Sequence, residues 1–352
     1  MVHTFSRAEQ SRAEQSRAEQ SRAEQSRAEQ SRIPWIDICK GLGILLVVLG
    51  HTNPPFSKYI YGFHMPLFFI LSGLIWHEQS VKDTLKKNFR RYIIPYFILC
   101  FLNLALWILL CSITGFEHYS VAHYIFGIFY SRGTMEWMPN CSPLWYLTAQ
   151  FLTILIIALI WKMKSNKTKT VVVALCLLCG LSLDWLQMVK LPWNVDTALV
   201  AVFFVYAGIN LKEYLARLKS IWLPLSIIVG FIAVYMNPIE AVSFDNNKYG
   251  NPLLMIIGAL CLSEAVIILA NFLAQFDNLI VNGIHWFGRH TVFIMGYDYF
   301  VGGLTSTLLW KVGAYNFLTL FILKILLLSI GCVIWNKAVC RLPVSWQVYL
   351  KY

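Results

Sequence analysis

The chain has 352 residues, of which 58% are hydrophobic, 15% aromatic and only 13% charged. A soluble domain carries about 25% charged residues, so the composition excludes a soluble globular enzyme, a disordered chain and a collagen-like one. The net charge of +11 calls for no nucleic acid partner, because the cytoplasmic loops of helical membrane proteins are loaded with Lys and Arg.

Residues 1–32 stand apart. The unit Ser-Arg-Ala-Glu-Gln repeats five times from Ser6 to Gln30, and Ser31-Arg32 begins a sixth copy. The unit is neutral and has no apolar face, so a disordered tail or frayed helix is expected. It also has no apolar central stretch and is not read as a signal peptide. A tandem five-base unit can encode these five residues in one way, AGCAG, read as AGC AGA GCA GAG CAG. A slippage-prone tract is therefore expected, in which gain or loss of one unit shifts the frame, as in genes that switch bacterial surface structures. A low-complexity linker is the other reading.

Beyond Arg32, apolar segments of about 17 to 25 residues follow, each long enough to cross a hydrocarbon core of roughly 30 Å. They lie near 33–50, 59–76, 92–114, 143–161, 170–186, 195–211, 220–236, 252–274, 286–304 and 314–335. The pattern predicts an all-α, polytopic transmembrane helical bundle of about ten spans over 33–335, followed by a tail at 336–352. The ninth segment is the weakest, because Asp298 interrupts it and Gly296, Gly302 and Gly303 thin it. Loops after even-numbered segments, with the tail, hold sixteen Lys and Arg against five after odd-numbered ones. By the positive-inside rule, both termini are expected in the cytoplasm. The longest outer loop, about 115 to 142, holds Phe116, Tyr119, Tyr124, Phe126, Phe129, Tyr130 and Trp137. Such a segment suits the interface plane, although the same rings can stack on a sugar. Among nine cysteines, Cys176 and Cys179 are spaced like a redox or zinc pair, yet they sit in an unbroken apolar run and read as packing residues. No metal site is expected.

Ionisable residues inside spans are costly and are candidates for function. Segment 33–77 holds Asp37, Lys40, His51, His64 and His77. Lys40 and His51 are eleven residues apart, three helical turns, which puts them on nearly one face and about 16 Å apart along the axis. Snorkelling helix-end charges would explain Lys40 and Asp37 equally well, and an interfacial cap would explain His51.

These residues carry a family resemblance. Trp35-Ile36-Asp37-Ile38-Cys39-Lys40 through Gly50-His51, followed by Ile60-Tyr61-Gly62-Phe63-His64-Met65-Pro66 through Ser72-Gly73, resembles the membrane-bound acyltransferase-3 family, which includes bacterial O-acetyltransferases of surface polysaccharides. Its hallmark, a basic residue shortly before a histidine, is matched by Lys40 and His51. A basic cluster opening the third span is matched by Lys86, Lys87, Arg90 and Arg91 before Ile93-Ile94-Pro95-Tyr96. Pro143-Leu144-Trp145-Tyr146-Leu147 resembles the fourth span, and Leu191-Pro192-Trp193-Asn194-Val195-Asp196 resembles the fucose 4-O-acetylase-like branch. Two features depart from the pattern. Arg90 and Arg91 are adjacent where some relatives space the pair. After Gly288-Arg289-His290-Thr291 the late span continues Gly296-Tyr297-Asp298-Tyr299, without the histidine that relatives often carry there.

The resemblance implies acetyl transfer from cytoplasmic acetyl-CoA to a sugar hydroxyl of a lipopolysaccharide, O-antigen or other surface glycan, at the bacterial inner membrane and among its lipids. His51 would take the hydroxyl proton, with Lys40 and Asp37 beside it as catalytic residues. Lys87, Arg90 and Arg91 would hold the donor's phosphates, although positive-inside charge also accounts for the cluster. His64, Trp145 and Asp196 are candidates for substrate binding. For His64, Pro66 is expected to break the local helical ladder and make a site wall, the alternative being a core histidine satisfied by freed carbonyls. For Asp196, helix capping is the alternative. A polytopic glycan flippase or polymerase is the competing reading, which needs neither the Lys40-to-His51 spacing nor CoA-binding arginines.

Overall fold

The computed structural model describes residues 33–115, 119–134, 136–138, 141–185, 190–217 and 219–342. The repeat, the tail from 343 onward, and Phe116 and His118 lie outside them. Among the described residues the protein is all-α, and its β structure is one isolated bridge between Ser243 and Lys248.

Helix α1 (Pro34–Gly50) opens with Pro34 in its first turn, where the missing N–H costs no hydrogen bond. The second expected segment is broken into α2 (Ser57–Tyr61) and α3 (His64–Leu74). Pro66 is not the breaker. It sits in the first turn of α3, where no intrahelical partner is needed, and the chain bends just before it at Gly62-Phe63. Ser80 caps α4 (Val81–Asn88) by accepting from the Asp83 N–H, and a π turn at Phe89–Ile93 joins it to α5 (Ile94–Thr114). The aromatic loop contains a helix of its own, α6 (Val121–Tyr130), which leaves Ile125, Phe126 and Phe129 exposed. Then come α7 (Trp145–Trp161), α8 (Asn166–Trp185), α9 (Val195–Asn210), the short α10 (Lys212–Ala216), α11 (Leu223–Met236) and α12 (Pro252–Leu273). The order ends with α13 (Leu279–Arg289), α14 (Thr291–Lys311) and α15 (Phe317–Val339).

Seven helical runs among the described residues are long and apolar enough to cross a membrane: Val81–Thr114, Ser142–Trp161, Asn166–Leu183, Pro192–Asn210, Pro252–Leu273, Thr291–Lys311 and Phe317–Val339. The other three expected segments are shorter, namely α1 with 17 residues, the broken pair α2 and α3, and the run Ser220–Met236. The ninth expected segment, 286–304, begins late. The chain breaks at His290, and residues 279–289 form the separate helix α13.

Helix α13 lies directly on α1, and two glycines permit it. A Cβ on Gly288 would fall 1.8 Å from the Asp37 carbonyl oxygen, and one on Gly41 would fall 1.9 Å from that of Ile284. Small residues let helices in membranes approach backbone to backbone, where van der Waals contact drives association. The contact fixes the N-terminal half of α1. At the other end of the bundle, residues 237–250 fold inward between α11 and α12, with Val242, Phe244 and Tyr249 buried. Asn237 Nδ2 donates to the Tyr249 carbonyl (3.0 Å), and Thr197 Oγ1 of α9 donates to that of Phe244 (2.6 Å). The inward fold is therefore closed by a bond across its own base and anchored to α9.

Candidate active site

His51 stands one residue beyond α1, where the helix has ended and its side chain is free of the preceding turn. Its Nδ1 lies 2.5 Å from Oδ2 of Asp298 on α14. The other carboxylate oxygen, Oδ1, lies 2.8 Å from Nζ of Lys324 on α15. Asp298 and Lys324 are 0% and 1% exposed, so three helices bring two full charges into an apolar interior. Uncompensated, either charge would be strongly destabilising there, and paired they are tolerated. An ionised carboxylate only accepts hydrogen bonds, so His51 donates from Nδ1–H. Its Nε2 is left with a lone pair. Tyr299 meets the imidazole edge-on at 4.7 Å between ring centroids, and Tyr61 lies 6.4 Å away with its hydroxyl donating to the Gly50 carbonyl. The arrangement is that of a general base whose tautomer is fixed by a buried carboxylate.

A cavity of about 810 Å³ runs from this point along α1. At the His51 end it is lined by Tyr61, His64, Trp145, Tyr299 and the inward-folded Ser243 to Asp245, and Tyr146, packed on Phe68 and Phe69, lies between the ends. At the other end it is lined by Asp37, Lys40, Lys87, Arg91, Lys212 and Arg289. The cations therefore gather at one end of the space, and the base lies at the other.

Among the residues predicted from sequence, His51 occupies the centre of the site. Lys40 and Asp37 do not join it there, because they lie about three and four turns away along α1, on the order of 16 Å for Lys40. Lys40 Nζ donates to Asp37 Oδ1 at 3.1 Å, and His285 of α13 approaches Asp37 Oδ2 at 3.9 Å. The carboxylate that does act on His51 is Asp298. Arg90 and Arg91 separate. The π turn carries an extra residue, and Arg91 with Lys87 reaches the large cavity, whereas Arg90 lines only an adjoining surface groove with Ser80, Asp83, Lys86, Lys87 and Arg91. His64 borders the cavity, and its Nδ1–H donates to the Ile60 carbonyl at 2.9 Å. It is thus both a wall and a histidine satisfied by a freed carbonyl. Trp145 also borders the cavity, pressed against the backbone of Gly133.

Asp196 does not line the cavity. Its carboxylate accepts from Arg132 Nη1 at 2.8 and 3.0 Å, from the Leu191 N–H at 3.1 Å and from the Thr197 N–H at 2.8 Å. Its hydrogen-bonding capacity is committed to holding residues 190–194 and 132 to the start of α9. A role in gripping an acceptor hydroxyl is replaced by a structural one. Cys176 and Cys179, half-buried and exposed on α8, are free thiols.

Sequence reasoning passed over Asp298 and Lys324, although the signal was present. Lys324 interrupts an apolar run of α15, as Asp298 interrupts α14, and an ionisable residue inside a span points to function with a partner. Asp298 read only as a weakness in its helix.

An acyltransferase-domain family model matches residues 33–336. No curated protein matches the chain, and no solved structure does.

Proposed function

We propose that this protein, which belongs to the acyltransferase-3 family and is a multi-pass membrane acyltransferase, moves an acetyl group from acetyl-CoA to a hydroxyl of a cell-surface glycan such as a lipopolysaccharide O-antigen. The observation that carries this reading is the single cavity with cations at one end and the His51–Asp298 pair at the other. The donor is polyanionic at its nucleotide and uncharged at its thioester, and the cavity has the same polarity. Lys87 and Arg91 suit the phosphates, with Arg90 in the adjoining groove and Lys40 further in along the wall. Positive-inside charge favours the basic end facing the cytoplasm, where acetyl-CoA resides, in a bacterial inner membrane.

At the other end, His51 Nε2 takes the proton of the acceptor hydroxyl as its oxygen attacks the thioester carbonyl. The C–S bond breaks, the acetyl ester forms, and the imidazolium returns the proton to the departing CoA thiolate. Asp298 orients the imidazole and balances its positive charge during the step. Lys324 balances the charge of the Asp298 carboxylate from its other oxygen. A glycan flippase or polymerase would need neither the buried base nor the basic entrance.

The test is label transfer. Membranes holding the unaltered protein should move acetyl from acetyl-CoA into glycan, and surface glycan from cells with the gene should be heavier by acetyl groups. His51→Ala should abolish the transfer while the protein still accumulates in the membrane. Retention of more than a few per cent of the activity would reject His51 as the base.

A further inference from the structure

We propose that the His51 end of the cavity is an acceptor subsite for an uncharged vicinal diol, recognised by the carboxylate of Asp245. The inference rests on the acyl-transfer reading above and specifies its acceptor. Asp245 lies on the inward-folded segment 237–250 and lines the cavity next to Ser243 and Phe244. Its carboxylate is preorganised. Ser243 Oγ donates to Oδ1, and Asn246 Nδ2 donates to Oδ2 at 3.0 Å. Asn246 is in turn held by Lys190 Nζ, which donates to its Oδ1 at 2.6 Å. The backbone beneath is fixed by Thr197, which donates to the Phe244 carbonyl, and by the bridge between Ser243 and Lys248. The Phe244 ring is wedged against Phe69, Phe204 and Tyr249.

A carboxylate offers about four acceptor sites, so the two internal bonds leave two for a ligand. Adjacent hydroxyls of a sugar are spaced to donate both. Asp245 lines the same cavity as Tyr61 and Tyr299, the two rings that meet His51. A diol held by Asp245 therefore lies beside the base, with aromatic faces for its C–H surface. Charge decides the class. Among the described residues that line the cavity, Lys40, Lys87, Arg91, Lys212 and Arg289 all belong to the opposite end. An acceptor bearing a carboxylate or phosphate near the reacting hydroxyl would meet Asp245 with no cation lining that end, because Lys190 gives its Nζ to Asn246 behind Asp245 and does not border the cavity.

The experiment uses the full chain in proteoliposomes with labelled acetyl-CoA and two probes, octyl β-galactoside and octyl β-glucuronide. The unaltered protein should acetylate the galactoside at least about tenfold more efficiently. Asp245→Asn should raise the galactoside KM by about tenfold, leave the acetyl-CoA KM within about twofold, and narrow the preference between the probes. Ser243→Ala should shift the galactoside KM in the same direction by less. A merely structural role for Asp245 would lower the rate with both probes alike. An unchanged galactoside KM in both variants, or equal use of the glucuronide by the unaltered protein, would overturn the subsite while acyl transfer stands. If no label leaves acetyl-CoA for either probe or for extracted envelope glycolipid, the acyl-transfer premise falls and the subsite falls with it.

Discussion

Asp37 with Lys40, and His51 with Asp298 and Lys324, stand at opposite ends of one helix and are built in opposite ways. The first is a local pair, three residues apart on α1, with the Lys40 side chain 23% exposed. The second joins residues 247 positions apart in the chain, with Asp298 and Lys324 sealed from solvent and His51 alone open to the cavity. Asp37 is buried, but the Lys40 ammonium opens toward the cavity, and an ion pair with one partner in reach of water rearranges at smaller cost than a sealed one, so Lys40 can turn from Asp37 to an incoming anion. A buried pair that loses one member leaves an uncompensated charge in an apolar interior. The comparison teaches that a binding charge belongs where it can be re-partnered, and a charge that positions a base belongs where it cannot.

The sharpest way to break this contrast is Asp298→Asn. The amide can hold the wrong imidazole tautomer, and loss of such a carboxylate elsewhere lowers turnover by about 10⁴-fold. Acetyl transfer should fall by about 10²-fold or more, measured as initial rate per mole of protein that elutes as a single species in detergent. A rate within about threefold of the unaltered protein would remove Asp298 from the mechanism. Lys324→Met comes next. It leaves Asp298 with His51 alone, and breaking a buried pair costs about 3–5 kcal/mol, so thermal unfolding in detergent should move down by several degrees and the rate by roughly tenfold. The double variant with Asp298→Asn should recover part of the stability and none of the activity, because it removes both charges together.

At the basic end the effects should be smaller and confined to the donor. Arg91→Ala should raise the acetyl-CoA KM by about tenfold, which corresponds to about 1.4 kcal/mol, and Arg90→Ala by less, since only Arg91 reaches the large cavity. Arg91→Lys should rescue in part, because charge survives and the bidentate fork does not. Equal KM changes at 90 and 91 would show that the π turn does not sort the two. The smallest effect is expected in the repeat. Removing one whole Ser-Arg-Ala-Glu-Gln unit should leave activity within about twofold, while loss of one five-base unit should abolish expression by shifting the frame beyond codon 32. Departure of several units from the AGCAG codon pattern would sink the slippage idea.

What could be read from the sequence was the local part. Most of the apolar runs coincide with helices to within a few residues, since span length and hydropathy are properties of contiguous chain, whereas 59–76 breaks at Gly62-Phe63 and 286–304 breaks at His290. His51 and the basic cluster stand out in the sequence because each is marked by spacing along one segment. Asp298 could be seen only as a defect in its helix, because its partners lie on α1 and α15 and pairing across such distances leaves no periodic trace. Asp196 misled for a related reason. A carboxylate at a helix start suits a cap or a ligand equally until Arg132, 64 residues earlier, is placed beside it. The break at His290 was equally hidden, because the separate helix it releases packs through Gly288 on Gly41, in a helix far away in sequence.

The π turn at Phe89–Ile93 has a consequence for register. It amounts to one residue more than an α-helix would need to connect Val81–Asn88 with Ile94–Thr114. Excising that residue would let an α-helix of normal pitch join the two halves as they stand, so Lys87 would keep its place on the cavity wall. The same single-codon deletion one turn into Ile94–Thr114, where no residue is spare, would turn everything from Val81 to Ile93 by about 100° and slide it by about 1.5 Å relative to the span below. The two deletions remove the same length of chain, and their comparison separates the direction in which the cations point from the charge they carry.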